Sequence, residues 1–148
     1  MIIDGLLQFD APLSAITVTR VSTNVIDLLN FRDIGYGNPA MWLWLGVNAA
    51  FTAGGAGTLQ VQLQGSVDNA TYVTLAETRA FSIAELTPIA PLIVMAWPTV
   101  PGQTITPRYL RLNYIVATGP MTAGSVNAQL VLDPQFAKLY PAGVTISN

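Results

Sequence analysis

The chain has 148 residues, 51% hydrophobic and only 9% charged, with a net charge of −2 and neither cysteine nor histidine. Disulfides and thiolate metal sites are therefore excluded, the commonest general base is missing, and there is no basic footprint for nucleic acid. Soluble domains usually carry about 25% charged residues, so a surface this poor in charge is expected to be covered by other protein.

Residues 1–14 mix apolar side chains with Asp4, Asp10 and Pro12 without periodicity and read as an arm or edge segment. The opening Met1-Ile-Ile-Asp-Gly-Leu-Leu carries an acid and no base, unlike a signal peptide. Ala15-Ile-Thr-Val-Thr-Arg-Val21 alternates as a strand does, with Ile16, Val18 and Arg20 opposite Thr17, Thr19 and Val21. After a turn at Ser22-Thr-Asn24, Val25–Leu29 is expected to return as a short strand. Asp33-Ile-Gly-Tyr-Gly-Asn-Pro39 has the composition of a loop.

Met41-Trp-Leu-Trp-Leu-Gly-Val47 is apolar on both faces, with Trp42 and Trp44 opposite Met41, Leu43, Leu45 and Val47. A lipid or cofactor box could look like this; a central strand, or one covered by a partner, is the reading adopted. Gly54-Gly-Ala-Gly57 is a flexible connection without the spacing or Lys of a phosphate-binding loop. Thr58–Gln64 turns Leu59, Val61 and Leu63 inward and a row of Gln60, Gln62 and Gln64 outward. Such a row can bind sugars, but a neutral solvated or interface face is the commoner use. A turn over Val67–Thr71 leads into a short strand at Tyr72–Leu75.

Ser82-Ile-Ala-Glu85 has capping-box spacing, with room for a turn or two of helix before Pro88. The five prolines between Leu86 and Pro107 disfavour a central strand and predict an extended loop. No apolar run, Leu92–Trp97 included, approaches the ~20 residues of a membrane-spanning helix. Arg108–Val116 gives the clearest strand, with Leu110, Leu112, Tyr114 and Val116 opposite Tyr109, Arg111, Asn113 and Ile115. Ser125–Leu132 repeats the alternation. Leu59, Val61, Leu63, Leu110, Leu112, Tyr114, Leu130 and Leu132 are expected to share one core. Residues 134–148 read as a C-terminal arm. Nothing divides the chain, so residues 1–148 form one domain: an all-β jelly-roll sandwich of about eight antiparallel strands.

Little chemistry is on offer. The eight acids fall mostly in predicted turns and termini, and no spacing nominates a glycosidase pair. Without His there is no Ser/His/Asp or Cys/His arrangement, and neither a Ser-x-x-Lys motif nor an EF-hand loop is present. No residue is assigned to catalysis, a cofactor or a metal. Arg108 and Arg111 flank Tyr109, a combination that suits protein interfaces. The plainer alternative makes Arg108 a solvated strand entry and pairs Arg111 with an acid. The candidate interface residues are Trp42, Trp44, Trp97, Tyr109, Arg111 and Phe136, with Trp97 and Phe136 as aromatic anchors on apolar arms.

Several stretches also carry a resemblance: Met1-Ile-Ile-Asp4, Ser22-Thr-Asn-Val-Ile-Asp-Leu28, Arg32-Asp-Ile-Gly35 with Gly37, Leu59-Gln-Val-Gln-Leu-Gln64, Arg108–Tyr114, Thr122-Ala-Gly124 and Leu130-Val-Leu-Asp133. Taken in order, they resemble the capsid cement (decoration) proteins of tailed bacteriophages, of the type found on the Bordetella phage capsid. The resemblance implies a jelly roll made in the host cytoplasm and carried on the outer surface of the virion. Its partners would be the major capsid protein and a second copy of itself, as a homodimer or higher assembly, with no nucleic acid, membrane or catalysis involved. The chain departs from the pattern in Leu86–Pro107 and in the Trp-rich Met41–Val47. The competing expectation is a carbohydrate-binding β-sandwich module of a phage tail or surface adhesin.

Overall fold

The computed structural model describes residues 5–11, 14–29, 41–89, 91–96, 106–132 and 134. Its strands are β1 (Gln8–Asp10), β2 (Arg20–Val21), β3 (Ile26–Asp27), β4 (Trp42–Ala53), β5 (Thr58–Ser66), β6 (Val73–Glu77), β7 (Phe81–Ser82), β8 (Pro91–Ala96), β9 (Tyr109–Ala117) and β10 (Met121–Val131). Short 3-10 turns at Gly5–Leu7 and Ile83–Glu85 are the helical content of the described residues. One sheet has the order β1-β10-β4-β8; the other runs β2-β9-β5-β6, with β3 on β9 and β7 on β5. All these pairings are antiparallel.

β2 and β3 occupy one edge of β9 in succession, and β6 and β7 one edge of β5, so ten strands fill eight positions. The first position pairs with the last, the second with the next to last, and so inward to β5 with β6/β7. That is a long hairpin rolled into two sheets, the jelly roll. The core lies between them. Leu59, Val61 and Leu63 meet Val116, Tyr114 and Leu112 across β5 and β9, facing Leu43, Leu45, Val126, Ala128 and Leu130 of the other sheet.

Seven of the eight expected core residues are buried, and Leu132 is not, with 58% of its surface exposed. β10 ends at Val131, so the alternation beyond it no longer has a sheet to obey. The end of β10 is also buried on both faces: outward-facing Gln129 and Val131 are as inaccessible as inward-facing Leu130.

The expected strand over 15–21 is broken. Residues 15–17 run beside β10, with Ile16 N–H donating to Gly124 and Met121 N–H to Thr17. Arg20 and Val21 pair with β9 in the opposite sheet. The segment crosses between sheets at a bend, and Val18, in the crossing, is exposed. Asp10 and Arg20 close that side of the sandwich. The Asp10 carboxylate is fully buried and accepts from Arg20 Nη2 at 3.1 Å and Thr23 Oγ1 at 3.1 Å. The Arg20 guanidinium lies 5.1 Å from the ring centre of buried Tyr114. Burial, with Asp10 beside it, pushes the Tyr114 hydroxyl pKa well above its ordinary value.

The proline-rich segment is not a loop throughout. Within it β8 forms the edge of the four-stranded sheet against β4, with Pro91 at its first position, where a missing N–H costs least. The N-terminal expectation of an edge segment is met by β1, which borders β10.

Candidate protein interface

The structure separates the six sequence-derived interface residues. Trp42 and Trp44 lie on the outward face of the four-stranded sheet, opposite Val131 and Gln129 of β10. The six-membered ring of Trp44 lies on Gly46, where a Cβ would come within 2.5 Å of it, and its indole N–H is buried without an acceptor among the described residues. Tyr109 and Arg111 lie on the outward face of the six-stranded sheet, on the other side of the molecule. Trp97 and Phe136, the loop at Asp33–Pro39 and the arm after Pro134 lie outside the described residues.

The face around Arg111 is the more organised. Strand alternation delivers it: β5 turns Gln60, Gln62 and Gln64 outward, in register with Ile115, Asn113 and Arg111 of β9. Arg111 Nε donates to Gln64 Oε1 at 2.8 Å, and Gln64 Nε2 donates to Gln62 Oε1 at 3.4 Å. Asn113 Nδ2 donates to the same Gln62 oxygen at 3.1 Å, and Gln62 Nε2 donates to Glu77 Oε2 at 3.0 Å. The chain begins at a guanidinium, which only donates, and ends at a carboxylate, which only accepts. Those two ends dictate which way every amide between them points. The result is a ladder across β9, β5 and β6 with its positive end at Arg111 and its negative end at Glu77.

Two aromatic rings flank the positive end. The Arg111 guanidinium stacks on Tyr72, 3.6 Å from the ring centre. Tyr72 is positioned by the turn before β6, where Asn69 adopts a left-handed conformation that its side chain tolerates better than most. The Tyr72 hydroxyl donates to Asn69 Oδ1. Asp68 ties the same turn by accepting from Ala70 N–H, Thr71 N–H and Ser66 Oγ. These bonds, the backbone ones foremost, hold its carboxyl at about 2.

Beside this, Arg108 lies over Tyr109 at 4.8 Å and grips Asp27 with two bonds of 2.8 and 2.9 Å. The Arg108 bond, more than any other effect, lowers the Asp27 pKa. The plainer sequence reading is thus inverted: Arg108 has the acid, and Arg111 has an amide and a ring. The glutamine row was visible in the sequence. Tyr72 and Glu77 were not among the candidates, because only the register of β6 on β5 brings them to this face.

The amides of the ladder are bonded to one another and to the groups at its two ends. Among the described residues no three His, Cys, Asp or Glu side chains form a group able to hold a metal. A family profile, Bbp16, matches residues 11–130. The chain belongs to the Bbp16 family. Bbp16 is a Bordetella phage protein, and membership makes this chain a phage protein of structural type. The Bbp16 match runs from just past β1 almost to the end of β10, and so takes in both outward faces. A search of curated proteins gives no match.

Proposed function

We propose that this protein is a non-catalytic capsid cement (decoration) protein that binds the outer surface of the major capsid protein shell and stabilises it, as a homodimer or higher assembly. Family membership supports the phage setting. The observation that carries the reading is the outward face of the six-stranded sheet. Its guanidinium, amide and carboxylate groups are held in place by hydrogen bonds to one another across three strands. Groups fixed before docking lose little entropy on binding, which suits a broad contact with another protein.

The composition of purified particles tests this. The protein should be present in fixed proportion to the shell protein, and particles stripped of it should lose integrity at lower temperature until it is added back. Absence from the capsid, together with glycan binding that Tyr72, Tyr109 and the glutamine row could support, would replace this reading with the carbohydrate-binding module.

A further inference from the structure

We infer that Arg111 is the anchor through which this face takes a single carboxylate, an Asp or Glu side chain presented by the surface of the partner protein; the inference rests on the cement reading. Four arginines lie among the described residues. Three have an acid of their own: Arg20 has Asp10, Arg79 has Glu85 and Arg108 has Asp27. Arg111 has none among these residues. Its Nε is spent on Gln64 and one ring face on Tyr72, which leaves both terminal nitrogens without a partner among the described residues.

Those terminal nitrogens form the edge of a guanidinium that matches a carboxylate with two parallel bonds. A free arginine must be immobilised before it can do so. Here the Nε bond and the stacked ring have already fixed the plane, so docking meets little further entropy cost.

The neighbouring acids do not compete. The bonds made by Asp68 serve its own turn, and Glu77 sits at the far end of the amide ladder. The surroundings also set the class of ligand. With Arg108 closed by Asp27, the face has one open cation among the described residues, on a chain of net charge −2, which fits one carboxylate and not a polyanion.

The test is co-sedimentation of the full chain with purified shells that lack it, comparing wild type with Arg111→Gln, Arg111→Lys and Arg108→Gln. Arg111→Gln should weaken binding about tenfold or more, as expected for losing one partner of a desolvated pair. Arg111→Lys keeps the charge without the fork, so it should fall between; it also keeps the test alive if Arg111→Gln melts early. Arg108→Gln should bind within about threefold of wild type, as for a charge on the rim. Added salt should weaken wild type more than Arg111→Gln. Equal binding by wild type and both Arg111 variants overturns the inference, as does an equal loss in Arg108→Gln, which would mean only general charge matters. Shells that take up no wild-type protein overturn the cement reading itself, and this inference with it.

Discussion

Single residues set the tolerances of this fold. Gly124 has φ of +136°, and a Cβ there would lie 2.3 Å from the ring of Phe51, which is buried in the core. Gly46 also has no room, but what it meets is the far end of the Trp44 indole on an outward face. Gly124→Ala should therefore cost at least about 2 kcal/mol from strain and overpacking together. Gly46→Ala should cost clearly less, because the indole can swing away; denaturant unfolding of the two variants checks the order. Titration gives a second expectation. Glu85 sits at about 2 against an ordinary 4.5, held by Arg79 and by the Ser82 N–H and hydroxyl, and Asp68 sits at about 2 against 3.8. Both carboxyls titrate lower in the folded chain, so their stabilisation is complete above about pH 4.5 and is lost as the pH falls toward 2. Urea midpoints measured down that range should drop, and more shallowly in a Glu85→Gln, Asp68→Asn double variant. Stability unchanged between those limits would contradict the paired geometry.

At the level of elements, legibility followed solvent. β5 and β9 each have a wet face and a dry one, so their side chains alternate and the register could be read from Leu59–Leu63 and Leu110–Tyr114 alone. The last stretch of β10, Ala128–Val131, has no wet face, so its period carries no information about where it stops, and Leu132 was misplaced. The crossing at residues 15–21 alternates in sequence, yet its two halves belong to different sheets, a fact held by partners in β9 and β10 rather than by the segment itself. Arg108 and Arg111 exchanged roles for the same reason: Asp27 reaches Arg108 only because β3 borders β9. The Asp10–Arg20 link ties β1 of one sheet to β2 of the other. Removing one member leaves a largely buried charge alone, so Asp10→Ala should cost about 3–5 kcal/mol. Asp10→Asn, which can still accept from Thr23, should cost less; equal losses in chemical unfolding would show that the charge contributes nothing.

Over the whole molecule, the jelly-roll class was legible because short alternating runs separated by Gly and Pro turns have few other ways to bury one face each. The candidate interface was half legible: Tyr109, Arg111 and the glutamines were visible, but not that Trp42 and Trp44 look the other way. Both sheets depend on one shared core, so Leu112→Ala should lower the stability of the entire domain by about 2–5 kcal/mol in a single transition seen alike by fluorescence and circular dichroism. The pairing of the first strand with the last has a further outcome, in time. Gln8 donates to Asn127 across 119 positions of chain, and among the described strands β1 pairs with β10. Ring closure that long is entropically expensive and few local contacts precede it, so folding should be slow for the size, in the millisecond-to-second range typical of non-local β topologies. During synthesis the N-terminal segment has residues 20–24 beside it early, but its sheet neighbour leaves the ribosome only near the end. The chain then closes like a clasp, which a version ending before β10 should be unable to do.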